Sequence, residues 1–458
     1  MSNDAVNLAR KAFETGEGLD LDTRLRRIDA VRRMLLEQTA DFTAALSQDL
    51  RKHPDESWMT EIGFTCNEVQ HTTKNLRKWL APERASVPLS LLPATAKIVR
   101  DPLGVVLVIA PWNYPVQLSL VPVMAALAGG NTVVLKPSEL APATSAALAR
   151  WIPEYLGEAV QVVEGGVPET TELLKERFDH IFYTGNGQVG KVILRAAAEH
   201  LTPVTLELGG KSPVYVDDSV DLTAAAQRIA WGKYLNAGQT CVAPDYVLAS
   251  PETARKLAEV LPKVIKGLFE KDPRSSSDYG RIVNQRHFGR LTGLLEGAEL
   301  VTGGDSEAGD LYLAPTVVRA KSTDPVMQEE IFGPILPIVE VPDEAAALAF
   351  IKERDKPLAL YVFSENKATR RNFMDNTSSG ALCFGVPAAH LLVPGLPFGG
   401  VGPSGMGAYH GRDSIDVFTH RKAVFDKPLK PDTMKLIYPP FNNLKHQVIT
   451  KVIAPAGK

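Results

Sequence analysis

The chain has 458 residues, 22% of them charged, and 50 Lys and Arg against 53 Asp and Glu leave a formal net charge of −3. That balance excludes a surface built for nucleic acid or an acidic membrane and favours a small neutral ligand, while the length calls for two or three domains. The three cysteines, at 66, 241 and 383, cannot all pair and show no Cys-x-x-Cys spacing. Neither a disulfide framework nor a metal site is therefore expected, and a reducing, cytoplasmic setting fits best.

The start carries Asp4, Arg10, Lys11 and Glu14 with no apolar stretch of leader length, and nowhere does an unbroken apolar run reach bilayer-spanning length. Val448 to Ala454 is apolar but short and interrupted by Lys451, so at most it docks on a surface.

Residues 5 to 80 read as helical. Leu25, Ile28, Val31 and Leu35 mark one apolar face, and Trp58, Ile62, Cys66, Val69, Leu76 and Trp79 mark another, which makes Cys66 a core residue. Between Pro82 and Pro102 the pattern changes to short alternation broken by prolines. Such strands belong at an edge, and a projecting arm with a subunit contact is expected.

From Gly104 onward apolar strands and helices alternate. Strands are expected at 104–110, 132–135, 160–163, 180–183 and 204–206, and helices at 118–128, 143–155, 170–175 and 188–198. Continuous Val/Ile/Leu strands separated by helices imply a parallel sheet covered on both faces, with ligands at the carboxyl ends of its strands. Three loops there carry unusual chemistry: 110–115 with Trp112, Asn113 and Tyr114; Lys136-Pro137-Ser138-Glu139; and Thr184-Gly185-Asn186-Gly187-Gln188-Val189-Gly190. The last is a literal Gly-x-Gly-x-x-Gly, which lets backbone approach a pyrophosphate at a helix N-terminus, or is simply a tight turn.

Glu207 follows Gly187 by the twenty residues of the dinucleotide fingerprint, which would make it a ribose ligand. It also ends a strand before two glycines, a place equally suited to a carboxylate facing a reaction centre. Lys136 and Glu139 offer another pair for the ribose hydroxyls.

A second α/β region begins with a strand expected from Pro213 to Val216. Its first helix, with Ala224, Ala225, Ile229, Ala230 and Tyr234 at helical spacing, leads into Asn236-Ala237-Gly238-Gln239-Thr240-Cys241, and Asn236, Gly238 and Gln239 are expected to turn toward a cavity. Cys241 is a nucleophile if a base or converging N–H groups activate it, and otherwise a small buried apolar residue. Strands follow at 246–249 and 335–339, with a helix from Pro251 to Phe269 between them. The Glu329-Glu330-Ile331-Phe332-Gly333-Pro334 stretch reads as a functional turn, an N-cap or a surface ion pair. Leu396 to His410, rich in glycine, reads as an ordered loop over a site or as a structural crossover. No internal repeat is present.

Taken together and in this order, Pro111-Trp112-Asn113, Lys136-Pro-Ser-Glu139, Leu206-Glu207-Leu208-Gly-Gly-Lys211, Gly238-Gln-Thr-Cys241, Glu329-Glu330-Ile-Phe332-Gly-Pro and Leu396-Pro-Phe-Gly-Gly-Val-Gly resemble the aldehyde dehydrogenase superfamily over nearly the whole chain. The likeness is greatest to its class 3, fatty and aromatic aldehyde, branch. The resemblance implies an α/β fold with a Rossmann-type parallel-sheet cofactor domain at 1–82 and 103–209 and an α/β catalytic domain at 210–411. A β arm for oligomerisation at 83–102 and a tail at 412–458 complete it.

It also implies NAD(P)-dependent oxidation of a medium-chain aliphatic or aromatic aldehyde through a thiohemiacetal and thioester on Cys241. Asn113 and the Cys241 N–H hold the oxyanion, and Glu207 activates water. Trp112, Lys136, Glu139, Gly185, Gly187, Gly190, Leu208, Glu330 and Phe332 surround the cofactor, and Tyr114, Trp231 and Tyr234 line the substrate tunnel. Glu139 favours NAD over NADP, because a carboxylate repels a 2′-phosphate.

The expected partner is a small aldehyde and the expected assembly a homodimer, with no nucleic acid and no membrane anchor. Relatives read Thr-Gly-Ser-Thr where this chain has Thr184-Gly185-Asn186-Gly187, and Asn-Asp near Phe384-Gly385-Val386, so a hydroxyl and some polarity are missing here. A coenzyme-A-acylating enzyme and a non-catalytic structural protein of the same fold remain the alternatives.

Overall fold

The computed structural model describes residues 2–88, 91–269 and 272–452. Five helical segments open the chain: α1 (Ser2–Glu14), α2 (Leu21–Glu37), α3 (Thr39–Leu50), the short α4 (Pro54–Ser57) and α5 (Gly63–Trp79). A widened π turn, Trp58–Ile62, joins the last two. Ile28, Val31, Leu35, Ile62, Val69 and Leu76 are buried as their spacing predicts. Trp58 departs from that face: it is 46% exposed, because the π turn adds a residue and rotates it outward. Cys66 is half-buried, packed against the core.

Two arm strands follow, β1 (Glu83–Ala85) and β2 (Thr95–Pro102), then the first α/β unit. It comprises β3 (Val105–Ile109), α6 (Gln117–Gly129), β4 (Thr132–Lys136), α7 (Pro142–Leu156), β5 (Val160–Val162), α8 (Val167–Leu173), β6 (His180–Gly185), α9 (Gly187–Ala198) and β7 (Val204–Leu208). Helix α8 starts three residues before the sequence suggested, because Pro168 suits a first turn and Glu169 Oε2 accepts the Gly166 N–H at 2.7 Å.

Along β3 the side chains alternate. Val105, Leu107 and Ile109 pack with Ala5, Val6 and Ala9 of α1 on one face, and Val106 and Val108 pack toward α6 on the other. Each fully buried Val or Leu contributes about 2 kcal/mol, so a strand apolar on both faces has no place at a surface. That is why α6, with twelve of its residues buried, shows no polar stripe.

The second unit runs β8 (Pro213–Val216), α10 (Leu222–Tyr234), β9 (Tyr246–Ala249), α11 (Pro251–Leu268), α12 (Gln285–Gly293), β10 (Glu299–Thr302), β11 (Ser306–Glu307), β12 (Tyr312–Leu313), β13 (Thr316–Arg319) and β14 (Ile335–Glu340). It ends with α13 (Glu344–Lys352), β15 (Ala359–Phe363), α14 (Lys367–Asn376) and β16 (Ala381–Phe384). The chain then returns through β17 (Gly405–Met406), α15 (Gly411–Val417), β18 (Thr419–Asp426) and α16 (Asn443–Val452).

The first sheet has the order β17-β7-β6-β3-β4-β5, parallel except for β17; the second is β10-β13-β14-β9-β8-β15-β16, parallel except for β10. The chain is α/β. Strand β17 pairs antiparallel with β7, Gly405 opposite Glu207 and Met406 opposite Leu206, so the Leu396–His410 stretch supplies a return strand on the sheet edge.

Strand β18 pairs with β2 along its full length, from Thr419 opposite Pro102 to Asp426 opposite Thr95, giving the three-stranded arm β1-β2-β18. Residues 89–90 of the arm, and the tail beyond 452 including the end of the 448–454 stretch, lie outside the described residues. Among the described residues no helix is long and apolar enough to cross a membrane.

Candidate active site

Helix α10 is capped by Asp221, whose carboxylate accepts the Thr223 N–H at 2.8 Å, and stops at Tyr234. Asn236, Ala237 and Gly238 then take φ of 52°, 52° and 75°, a left-handed run that turns the chain sharply toward Cys241. Such a conformation costs an alanine on the order of 1 kcal/mol, so neighbours must hold it. A Cβ at Gly238 would lie 2.3 Å from Gly333 O, so glycine is required by space as well as by φ.

The expectation that Asn236 and Gln239 turn toward a cavity is corrected: both are buried and bound to backbone. Asn236 Nδ2 donates to Asn113 O at 2.8 Å and to Gln239 O at 3.2 Å. Gln239 Nε2 donates to Asn236 O and Arg281 O, and its Oε1 accepts the Val283 N–H at 3.0 Å. Tyr361 Oη donates to Val242 O at 2.5 Å. These are the bonds that maintain the left-handed run.

Asn113 arrives from the other sheet, in the loop after β3. Its Nδ2 donates to Gln239 O at 3.0 Å, two residues before Cys241, and only one of its two amide hydrogens is committed there. Tyr114 is buried next to it, with Oη 2.6 Å from Thr240 Oγ1. Glu207 sits on β7, 2% exposed, and neither carboxyl oxygen has a hydrogen-bond partner among the described residues. Burial without a partner holds this carboxyl well above the usual carboxylate range. Burial first, then the Glu330 and Glu207 carboxylates, push the Cys241 thiol up to about 12.

Glu330 leans on the Gly209 backbone, where a Cβ would fall 2.1 Å from its Oε2. Burial, then Asp245, push its carboxyl up to about 8. Phe332, at φ 48°, meets Trp112 with ring centres 5.4 Å apart, and Trp112 also meets His287. The 329–334 turn is fixed from below by a pair that sequence reasoning passed over. Lys211 Nζ bonds Asp245, Val326 O at 2.9 Å and Glu329 O at 2.8 Å, while Asp245 Oδ1 accepts the Ile331 N–H at 3.1 Å. The Pro244-Asp245 step just after Cys241 was the available signal. Glu329 itself is a surface partner of Arg290 at 3.6 Å.

At the outer end of the same cleft, Lys136 closes β4 and donates to Glu139 Oε2 at 2.9 Å and Pro137 O at 2.8 Å, with Gly166 beside Glu139. Glycine at 185 is forced, since a Cβ would meet the Tyr183 hydroxyl at 2.1 Å. Gly190 lets α9 close on Leu208 and Leu206. Gly187 differs, for nothing lies within 4 Å of where its Cβ would be. Asn186 caps α9 by accepting the Val189 N–H at 3.0 Å, and the first turn of the helix stays open in front of Gly187. That open helix start, the exposed Glu139 and the unpartnered Glu207 and Thr184 oxygens suit a dinucleotide laid across the strand ends.

One tunnel residue is not where the sequence put it. Tyr234 is 1% exposed and its hydroxyl donates to Thr316 O at 3.1 Å, so it belongs to the core beneath the site rather than to a substrate wall. The helix turns that face toward β13. Trp231 is half-buried on the same helix, a turn away. Lys233 between them is fully enclosed, and burial lowers its amine to about 8.

The model of the Aldehyde dehydrogenase family matches residues 2–424. The chain is 47% identical over 445 residues to "Aldehyde dehydrogenase, dimeric NADP-preferring" of Canis lupus familiaris, covering 96% of this chain and 97% of the relative. It is 48% identical over 440 residues to "Aldehyde dehydrogenase family 3 member B1" of Bos taurus, covering 95% and 94%. Among solved structures, "Substrate bound state of Staphylococcus Aureus AldH" superposes with a TM-score of 0.96 at 39% identity over 99% of both chains. By identity, coverage and fold, the chain belongs to the aldehyde dehydrogenase family.

Proposed function

We propose that this chain oxidises medium-chain aliphatic or aromatic aldehydes to carboxylic acids with NAD(P), using Cys241 as nucleophile, Asn113 as oxyanion donor and Glu207 as base. One observation carries the assignment of roles: a thiol, a half-committed amide and an unpartnered carboxyl, brought from two sheets, meet in one buried site. The thiol loses its proton to solvent water, and the resulting thiolate attacks the carbonyl carbon. The oxygen gathers charge as a thiohemiacetal forms, and the free Asn113 N–H with the Cys241 N–H receives it. Donors aimed at charge that exists only near the transition state lower the barrier most.

When bound, the cofactor would supply a hydride acceptor, and departure of the hydride from the former aldehyde carbon would leave a thioester on Cys241. Glu207 then takes a proton from water, the resulting hydroxide adds to the thioester, and the acid departs as Cys241 regains its sulfur electrons. Trp112, Gly185, Gly187, Gly190, Leu208, Glu330 and Phe332 would hold the cofactor, with Lys136 and Glu139 at its adenosine ribose. Tyr114 and Trp231 would face the aldehyde. Residues 1–82 with 103–209 would form the cofactor domain, 210–411 the catalytic domain, and the arm with the tail the oligomer contacts.

Cys241 attacks as the thiolate, so the sign is fixed: kcat/KM of the free enzyme rises with pH as Cys241 loses its proton, and kcat rises as Glu207 loses its proton in the acylated enzyme. A profile from pH 6 to 9 with hexanal checks this, and a flat or falling limb contradicts it. Glu139 points to NAD. Glu139→Gln removes a repulsion worth about 1 kcal/mol and should raise kcat/KM with NADP about fivefold relative to NAD. An unchanged ratio would place the 2′ position elsewhere.

The same reading makes the protein a cytoplasmic homodimer joined through its arm, which light scattering tests; a monomer at micromolar concentration argues against it. A panel in which only short charged semialdehydes react would refute the substrate class.

A further inference from the structure

In the segment from Lys52 to Glu61, the side chains of Lys52, Glu56 and Glu61 bond to the loops of the site and are left unused by the reaction scheme. Arg51, at φ 54°, ends α3 and swings Lys52 inward until its side chain has no exposure at all. There Nζ donates to Glu61 Oε1 at 2.5 Å and to Asn113 O at 3.0 Å, and it lies 3.9 Å from the centre of the Tyr114 ring. Glu61, equally enclosed, uses its other oxygen on Val116 N at 2.8 Å and Gln117 N at 3.3 Å, the start of α6. One ion pair thus grips the carbonyl of Asn113 and the helix that continues from its loop. From the same segment, Glu56 Oε1 accepts the Asn236 N–H at 3.0 Å, and Asn236 Nδ2 donates to the same Asn113 carbonyl at 2.8 Å. The N-terminal helices therefore tie the Asn113 loop to the Cys241 loop.

Burying such a pair carries a desolvation penalty that two apolar side chains of similar volume would avoid. What apolar residues could not do is fix a carbonyl oxygen and a helix start in direction. We propose that Lys52 and Glu61 are positioning residues for the oxyanion site, holding the Asn113 amide at the distance from the Cys241 N–H that the developing charge needs. This rests on the reading of Asn113 as oxyanion donor.

A double-mutant cycle between Lys52→Met and Asn113→Ala tests it, with hexanal and NAD. Lys52→Met should lower kcat at least about tenfold with KM within about twofold, as expected when a contact made only in the transition state is lost. In the Asn113→Ala background it should add less than about twofold, since both changes remove the same contact. Alkylation of Cys241 by iodoacetamide needs no oxyanion donor and should keep its wild-type rate.

Equal losses from Lys52→Met in both backgrounds, or alkylation slowed in step with kcat, would overturn the proposal in favour of a general packing role. Asn113→Ala with wild-type kcat would instead remove the oxyanion reading itself, a different result from a defective Asn113→Ala beside an unimpaired Lys52→Met. If Lys52→Met does not fold, Glu61→Gln keeps the acceptor for Val116 N, removes the charge and carries the same cycle.

Discussion

Cys241→Ala should abolish NAD(P)H formation from hexanal and benzaldehyde, a loss of about 10⁴-fold or more, while leaving the fold intact. The size follows from the chemistry: with no sulfur there is no covalent intermediate, and hydride would have to leave a free aldehyde or its hydrate. The fold should survive because Cys241 is only half-buried, and the bonds that shape its loop come from Asn236, Gln239 and Tyr361. Matching circular dichroism and melting temperature would establish that. Residual dehydrogenation at a tenth of the wild-type rate would show that the reaction does not pass through this sulfur.

Glu207→Gln should separate the two halves of the reaction. Attack and hydride departure do not require a general base for water, so one equivalent of NADH per site should appear rapidly. Turnover after it should fall by about 10³-fold, within the range attributed to positioned general bases. Glutamine preserves the volume at a position where neither carboxyl oxygen has a hydrogen-bond partner among the described residues. A quenched-flow trace with a full burst and a slow steady state would support the assignment. Loss of the burst together with the steady state would mean that Glu207 acts earlier, on the thiol proton. Adding coenzyme A to this variant also tests the acylating alternative, in which thiol transfer would restore turnover without Glu207.

How far the sequence carried this account depends on which forces leave a local trace. Strands buried on both faces are apolar throughout, so β3, β4, β6, β8 and β9 were legible to within two residues. The short strands after Pro82 were legible as a break from the helical pattern, although proline is disfavoured rather than excluded within a sheet, as Pro337 inside β14 shows. Strand β17 was not, since two residues, Gly405 and Met406, carry no periodicity, and their partner at Glu207 is distant in sequence.

The same divide runs through the site. Cys241, Asn113 and Glu207 stood out because their residue types are unusual where they occur. Tyr234 was misplaced because helical spacing gives a face without saying which neighbour the face meets. Lys52, Glu61 and Asp245 went unremarked because a lone charged residue in sequence reads as surface. Only folding shows Lys52 fully enclosed against the Asn113 carbonyl.

The most direct measurement is intact-protein and peptide mass spectrometry of Glu207→Gln mixed with hexanal and NAD and quenched with acid within the burst. A hexanoyl group on the peptide carrying Cys241, at close to one per site and absent when NAD is omitted, is the result expected of a thioester that awaits this carboxylate. An unmodified Cys241 peptide despite a full equivalent of NADH would contradict the covalent route on which the whole account depends.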